Sequence, residues 1–171
     1  ILEAARALAE LGDLPWRWTI AGHRYDEDSY ANRTREILER TPHRERTTAV
    51  PATPPEKLTP YYREAQIFLL PSYMESYGLV YAEALSHGVP IVAYAAAAVP
   101  SIVADAGRLV SPGSRAGPDP LARAIRQLLE DGTATLRERA RARAALLPRW
   151  QEVRERFLHA ARGLAGNRGR S

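Results

Sequence analysis

Two stretches of this chain, Ile67-Phe68-Leu69-Leu70 and Pro90-Ile91-Val92-Ala93-Tyr94-Ala95, are apolar without alternation. A strand with one wet face alternates polar and apolar side chains. A strand apolar at every position needs cover on both sides. Helical patterns lie between and beyond these runs, so the cover is helical. The chain is thereby confined to an α/β class: a Rossmann-like parallel sheet with helices on both faces.

The remaining pattern fits that frame. Trp16 to Gly22 (WRWTIAG) reads as a strand ending in glycine, Thr47-Thr48-Ala49-Val50 as a short β-like piece, and Gly107-Arg108-Leu109-Val110 as another. Helices are expected over 1–11, over 29–40 with Ser29 as N-cap, and from Pro54-Pro55-Glu56 to about Ala65. A further helix spans Gly78 to His87 and stops at Gly88-Val89-Pro90. Helices over 119–131, 133–147 and 150–164 close the sheet.

At 171 residues the chain is read as one domain, residues 1–171. It has no cysteine, which excludes a disulfide scaffold, a thiolate metal site and a cysteine nucleophile, and suits a reducing compartment. No apolar run approaches the length of a membrane span. The start, Ile1-Leu2-Glu3, has neither an initiator Met nor a signal-peptide pattern, so the chain is expected to be cut from a larger protein. Residues 1–120 carry 12 basic and 15 acidic side chains, residues 121–171 carry 12 and 5. A basic tail on a near-neutral body indicates solvated helices or contact with an anionic membrane surface, and not nucleic acid.

The site-like segment is Pro71 to Pro90, PSYMESYGLVYAEALSHGVP. A buried strand ends, a polar turn carries Glu75, and Gly78 opens a helix. Ligands of open parallel sheets sit beyond the carboxyl ends of strands, and unpaired amides at a helix start suit phosphate. The helix is apolar nearly all round and is expected to be largely buried. A lone carboxylate on it, Glu83, is costly unless bonded or open to a cleft. Facing a cleft, it could accept two hydrogen bonds from vicinal sugar hydroxyls. Paired with an arginine or a backbone amide, it would be structural. The residues alone leave both readings open.

Glu75 and Glu83 form an E-x7-E spacing inside E-S-Y-G-L-V-x-x-E-A-L-x-x-G-x-P. This closely resembles the donor-binding C-terminal half of retaining GT-B glycosyltransferases, the group 1 (family 4) class. WRWTIAG, EKLTPYYREAQIFLLPS and the segment from Val99-Pro100 to Pro112 fit the same resemblance, as does Leu147-Pro148-Arg149-Trp150. The resemblance implies the C-terminal half of a GT-B fold and transfer of a sugar from a nucleoside-diphosphate sugar to an acceptor carbohydrate or lipid-linked sugar. It puts Glu83 on the ribose hydroxyls and Glu75, the catalytic position, beside the donor sugar. It puts the amides around Tyr77, Gly78 and Leu79 at the sugar and diphosphate. Gly22 flanks the donor cleft, and Val50 and Pro51 border the base. No cofactor or metal is implied, because helix amides and basic side chains neutralise the leaving diphosphate. The implied location is cytoplasmic, with contact at the inner membrane face through Arg149, Arg154, Arg156 and Arg162.

Three departures accompany the resemblance. The acceptor-binding N-terminal domain is absent from this chain, so the chain is expected not to transfer sugar alone. The strand that opens the C-terminal half, with its diphosphate-gripping basic pair, is expected before residue 1. Ala95 to Ser101 (AAAAVPS) stands where the family has a glycine-containing turn and P-E, and Ser101 replaces that glutamate. A sugar-nucleotide epimerase or hydrolase, or a non-catalytic binding module, are the alternatives.

Other features carry less. His23, His43, His87 and His159 are scattered without metal-ligand spacing. His87 reads as a helix-end residue, and His23 lies where it could approach a ligand. Asp26-Glu27-Asp28 reads as a solvated turn. Arg137, Arg139, Arg141 and Arg143 fall on two sides of a helix, flanking a stripe of Leu136, Ala140, Ala144 and Leu147.

Overall fold

Strand β4 (Ile91–Tyr94) is buried at all four positions. Ile91 and Ala93 enter one core cluster, Val92 and Tyr94 the other, so the two faces of the strand feed two cores. This is the double cover that an unbroken apolar run requires. The computed structural model describes residues 1–22, 32, 33, 36, 37, 39, 44–113, 119–148, 152–155, 158 and 159. Strand β4 pairs in parallel with β3 (Phe68–Leu69) on one side and β5 (Gly107–Val110) on the other. The register aligns Phe68 with Ile91 and Ile91 with Gly107.

Helix α1 (Leu2–Ala9) and helix α5 (Pro120–Asp131) cover one face, through Ala7, Leu8, Leu121, Ile125 and Leu128. Helices α3 (Leu79–Ser86) and α4 (Val99–Val103) cover the other, through Tyr81, Leu85, Val99 and Val103. Each buried Leu, Ile or Val among them contributes about 1.5–3 kcal/mol. The expected helix over 119–131 is found with its cap in place: the Asp119 carboxylate accepts from the Leu121 N–H at 2.8 Å, with Pro120 at the first turn. Arg126 grips Asp13 with two hydrogen bonds of 2.7 Å, tying α5 to the end of α1. That guanidinium holds the Asp13 carboxyl below the usual carboxylate range.

The sheet differs from the single one expected. Strands β1 (Trp18–Ala21) and β2 (Thr47–Val50) form their own parallel pair, and among the described residues no ladder joins them to β3-β4-β5. Both sheets still rest on one core, to which Trp18 and Leu69 both contribute. Helix α2 (Thr59–Glu64) leads into β3. Of the helix expected over 29–40, Asn32, Arg33, Glu36, Ile37 and Glu39 are helical, and Ser29 lies outside the described residues. Of that expected over 150–164, residues 152–155, 158 and 159 are helical.

Helix α6 (Ala134–Leu146) spans both cores, with Leu136 in one and Ala140 in the other, as its apolar stripe indicates. Arg139 and Arg141 are exposed, as solvated flanks require, whereas Arg137 and Arg143 are half-buried. Arg137 donates to the Ala65 carbonyl at 2.9 Å, just past the end of α2. Arg143 donates to the carbonyls of Ile102, at 2.8 Å, and Ser101 at the end of α4. Arg141 lies over Gly88, and Arg139 faces Asp105 at 3.7 Å. Carbonyls at helix C-termini lack intrahelical donors, and cations answer both the missing bond and the dipole.

Candidate functional site

Beyond the carboxyl end of β3 the chain turns and enters α3. Three bonds shape the turn. The Tyr81 hydroxyl donates to the Leu70 carbonyl at 2.8 Å, Ser72 Oγ to the Met74 carbonyl at 3.1 Å, and the Gly78 N–H to Glu75 Oε1 at 2.9 Å. Burial, and then the charge of Glu75, push the Tyr81 hydroxyl up to about 12. Gly78 has φ +62°, a left-handed conformation that glycine adopts without strain. A Cβ there would collide with Ile102 Cδ1. Glycine is thus required twice, by backbone and by space.

Glu75 closes its own helix start. A carboxylate at that end answers both an unpaired amide and the dipole. The Gly78 amide, one of those assigned to the sugar and diphosphate, is therefore engaged inside the protein. The Leu79 and Val80 amides have no acceptor among the described residues. Tyr77 and Leu79 stand out from the surface at 83% and 74% exposure. With Tyr73, Met74 and Val80 they form an apolar rim around the helix start.

Helix α3 is not buried all round, as its composition suggests. Tyr81, Ala84 and Leu85 are buried, whereas Leu79 and Val80 are exposed. Glu83 lies three and four positions after those two, on the same side of the helix. It is half-buried and open to solvent, so its charge is not stranded in a core. Its described side-chain partner is the Tyr62 hydroxyl, 3.3 Å from Oε2. Glu75 and Glu83 thus bracket one helix start without a described contact between them.

A second group gathers at the carboxyl ends of β1 and β2. The Gly22 N–H donates to the Val50 carbonyl at 3.1 Å, and Pro51 follows on the exposed side. Gly22 has φ +82° with open space where a Cβ would point, so conformation alone calls for glycine. His23 lies outside the described residues.

The alanine segment after β4 packs against the first turn. The Ala98 N–H donates to the Glu75 carbonyl at 3.3 Å. Ala97 has φ +46°, a left-handed value unusual for alanine. The segment keeps the backbone shape of a glycine turn without the glycine. The Ser101 hydroxyl donates to the Ala98 carbonyl at 2.8 Å.

Pattern alone does not mark Tyr62, nor the contact that His87 makes with it. Tyr62 reads in sequence as an apolar position on a helix. His87 holds the helix-end position expected of it, but its ring also stacks on Tyr62, centroids 5.0 Å apart and planes at 8°. Only contact across 21 residues could reveal the Tyr62–Glu83 pair. A groove of about 460 Å³ lies elsewhere, between β5 and α5, where Arg108, Arg123 and Gln127 line it. Among the described residues no three metal-ligating side chains converge.

Known proteins resemble this chain. The model of the family described as glycosyl transferases group 1 matches residues 1–131. A D-inositol 3-phosphate glycosyltransferase from Corynebacterium aurimucosum is 37% identical over 112 residues, covering 65% of this chain and 25% of that protein. The chain therefore spans about a quarter of that relative's length. Sucrose-phosphate synthase from Thermosynechococcus elongatus superposes with a TM-score of 0.84 at 26% identity, over 96% of this chain and 42% of that one. The Anabaena protein HepE, solved with UDP, superposes with a TM-score of 0.79 at 21% identity, over 94% of this chain and 44% of that one. That last likeness is one of fold.

Proposed function

The chain belongs to the group 1 glycosyl transferases, and from that premise we propose that it is the donor-binding half of a retaining glycosyltransferase. The observation that carries the reading is the placing of Glu83. It is a half-buried carboxylate on the open side of α3, beside a helix start whose Leu79 and Val80 amides have no acceptor among the described residues. A carboxylate accepts hydrogen bonds only, and a pair of vicinal ribose hydroxyls donates two. The free amides and the positive end of the helix dipole favour the diphosphate, most of all as charge builds on it while the glycosidic bond breaks. Glu75 sets the shape of the helix start and lies beside the donor sugar. Gly22, Val50 and Pro51 border the base.

The same reading assigns the leaving-group charge to amides and arginines, with no metal. Transfer keeps the anomeric configuration and needs the acceptor-binding half of the protein. The acceptor is a carbohydrate or lipid-linked sugar. We place the reaction in the cytoplasm, with contact at the inner membrane face. Among the described residues no helix is long and apolar enough to cross a membrane. Ser101 and the alanine turn favour one second reading, a module that binds the nucleotide sugar without transfer.

Calorimetry with UDP and GDP on the wild type and on Glu83→Ala tests the assignment. Loss of the charge-assisted bonds weakens binding by about 1–3 kcal/mol. Equal affinity of the two proteins overturns it. A donor that binds but is neither transferred nor hydrolysed by the full-length protein selects the module.

A further inference from the structure

We propose that Tyr62 is a positioning residue: its hydroxyl holds one oxygen of Glu83 so that the other remains turned to the ligand side of α3. This rests on the reading of Glu83 given above and adds the residue that orients it.

The two side chains come from different elements, Tyr62 from α2 and Glu83 from α3, and meet with Oη 3.3 Å from Oε2. Tyr62 cannot easily swing away. Its ring stacks flat on His87 at 5.0 Å and meets Phe68 at 6.2 Å and 39°. The backbone of His87 is held in turn, because its main-chain N–H bonds to the Glu83 and Ala84 carbonyls at the end of the same helix. The contact therefore closes a ring of parts: Glu83, the end of α3, the His87 imidazole and the Tyr62 phenol.

The chemistry suits a positioning role. An ionised carboxylate offers about four acceptor sites, and a single phenol fills one. Two adjacent hydroxyls of a ribose can still be taken. A glutamate side chain that points freely into solvent samples several rotamers, and fixing it on binding costs conformational entropy. A phenol that holds it beforehand lowers that cost. Burial, and then the charge of Glu83, push the Tyr62 hydroxyl up to about 12, so it stays a donor at neutral pH. Among the described residues, His87 and Phe68 touch the Tyr62 ring, and neither bonds to the carboxylate.

The test is the discrimination between a ribose and a dideoxyribose nucleotide. Dissociation constants for UDP and GDP and for their dideoxyribose analogues are measured on wild type, Tyr62→Phe, Glu83→Gln and the double variant. Tyr62→Phe keeps the ring and its stacking, so a purely structural tyrosine leaves the ribose-to-dideoxyribose ratio unchanged. The expected result is a fall in that ratio of roughly threefold to tenfold for Tyr62→Phe, a larger fall for Glu83→Gln, and a double variant no worse than Glu83→Gln alone. A wild-type ratio in Tyr62→Phe with a collapsed ratio in Glu83→Gln overturns the role of Tyr62 and leaves that of Glu83 intact. Losses that add in the double variant also overturn it, because the tyrosine would then act independently. A wild-type ratio in both single variants overturns the ribose assignment of Glu83 and this inference with it.

Discussion

Replacing Gly78 with alanine puts two separate demands on the helix start. The backbone there has φ +62°, and an L-residue with a Cβ pays about 1–2 kcal/mol for that left-handed conformation. The new methyl would also fall on Ile102 Cδ1 and stand 3.4 Å from Tyr81 Cδ2. The Ile102 side chain can rotate, so this second demand resembles overpacking, about 1–3 kcal/mol. Together the two predict a loss of about 2–5 kcal/mol, measured by urea unfolding followed by circular dichroism. A second substitution separates them. Ile102→Val removes Cδ1 at a cost of about 1 kcal/mol by itself. Combined with Gly78→Ala, it relieves the collision while the backbone strain remains. The double variant is therefore less destabilised than the sum of the singles, by about 1–3 kcal/mol. A loss below about 0.5 kcal/mol for Gly78→Ala, within the range of an ordinary surface change, would refute the strain argument. Strict additivity would refute the collision.

Ala97 presents the opposite case. Ala97→Gly removes the cost of a left-handed alanine but adds entropy to the unfolded chain, leaving a net gain of about 0.5–1 kcal/mol in thermal unfolding. A destabilised variant would show that the alanine methyl makes a contact worth more than the strain. Alkaline pH should weaken the fold through Tyr62 and Tyr81. Both hydroxyls are raised from 10.0 to about 12 in the folded state, so the native form holds its protons longer than the unfolded one. Their contribution is complete below pH 10 and is lost as the pH rises towards 12. The melting temperature is expected to fall across that interval and to fall less in Tyr62→Phe; an equal slope in both proteins would count against the shift.

Much of this architecture is local enough to read from residue order. The unbroken run at Ile91–Tyr94 demands two covers, and it receives two cores. Asp119-Pro120 marks a helix start by capping chemistry alone. What escaped depends on pairs far apart in the chain. Leu79 and Val80 are as apolar as Leu85, and only the tertiary arrangement decides that Leu85 is covered and they are not. Spacing alone sets the arginines of α6 on two sides of the helix, but the carbonyl partners of Arg137 and Arg143 lie 72 and 41 residues away. The division into two sheets is likewise a matter of long-range pairing, since every strand pattern fits one sheet as well as two. At the site, the E-x7-E spacing locates both glutamates. It does not foretell that Glu75 bonds its own Gly78 amide or that Glu83 meets Tyr62.

The guanidinium groups of α6 also bear on how the basic end of this protein meets polyanions. For duplex DNA, each phosphate neutralised adds about 0.9 to the steepness with which log affinity falls against log salt. Arg137 and Arg143 are committed to backbone oxygens, and Arg139 already faces a carboxylate. They hold helix ends in place and add little to such a count. These three are among the twelve basic side chains of residues 121–171, so a polyanion bound there should show a salt dependence shallower than twelve contacts would give.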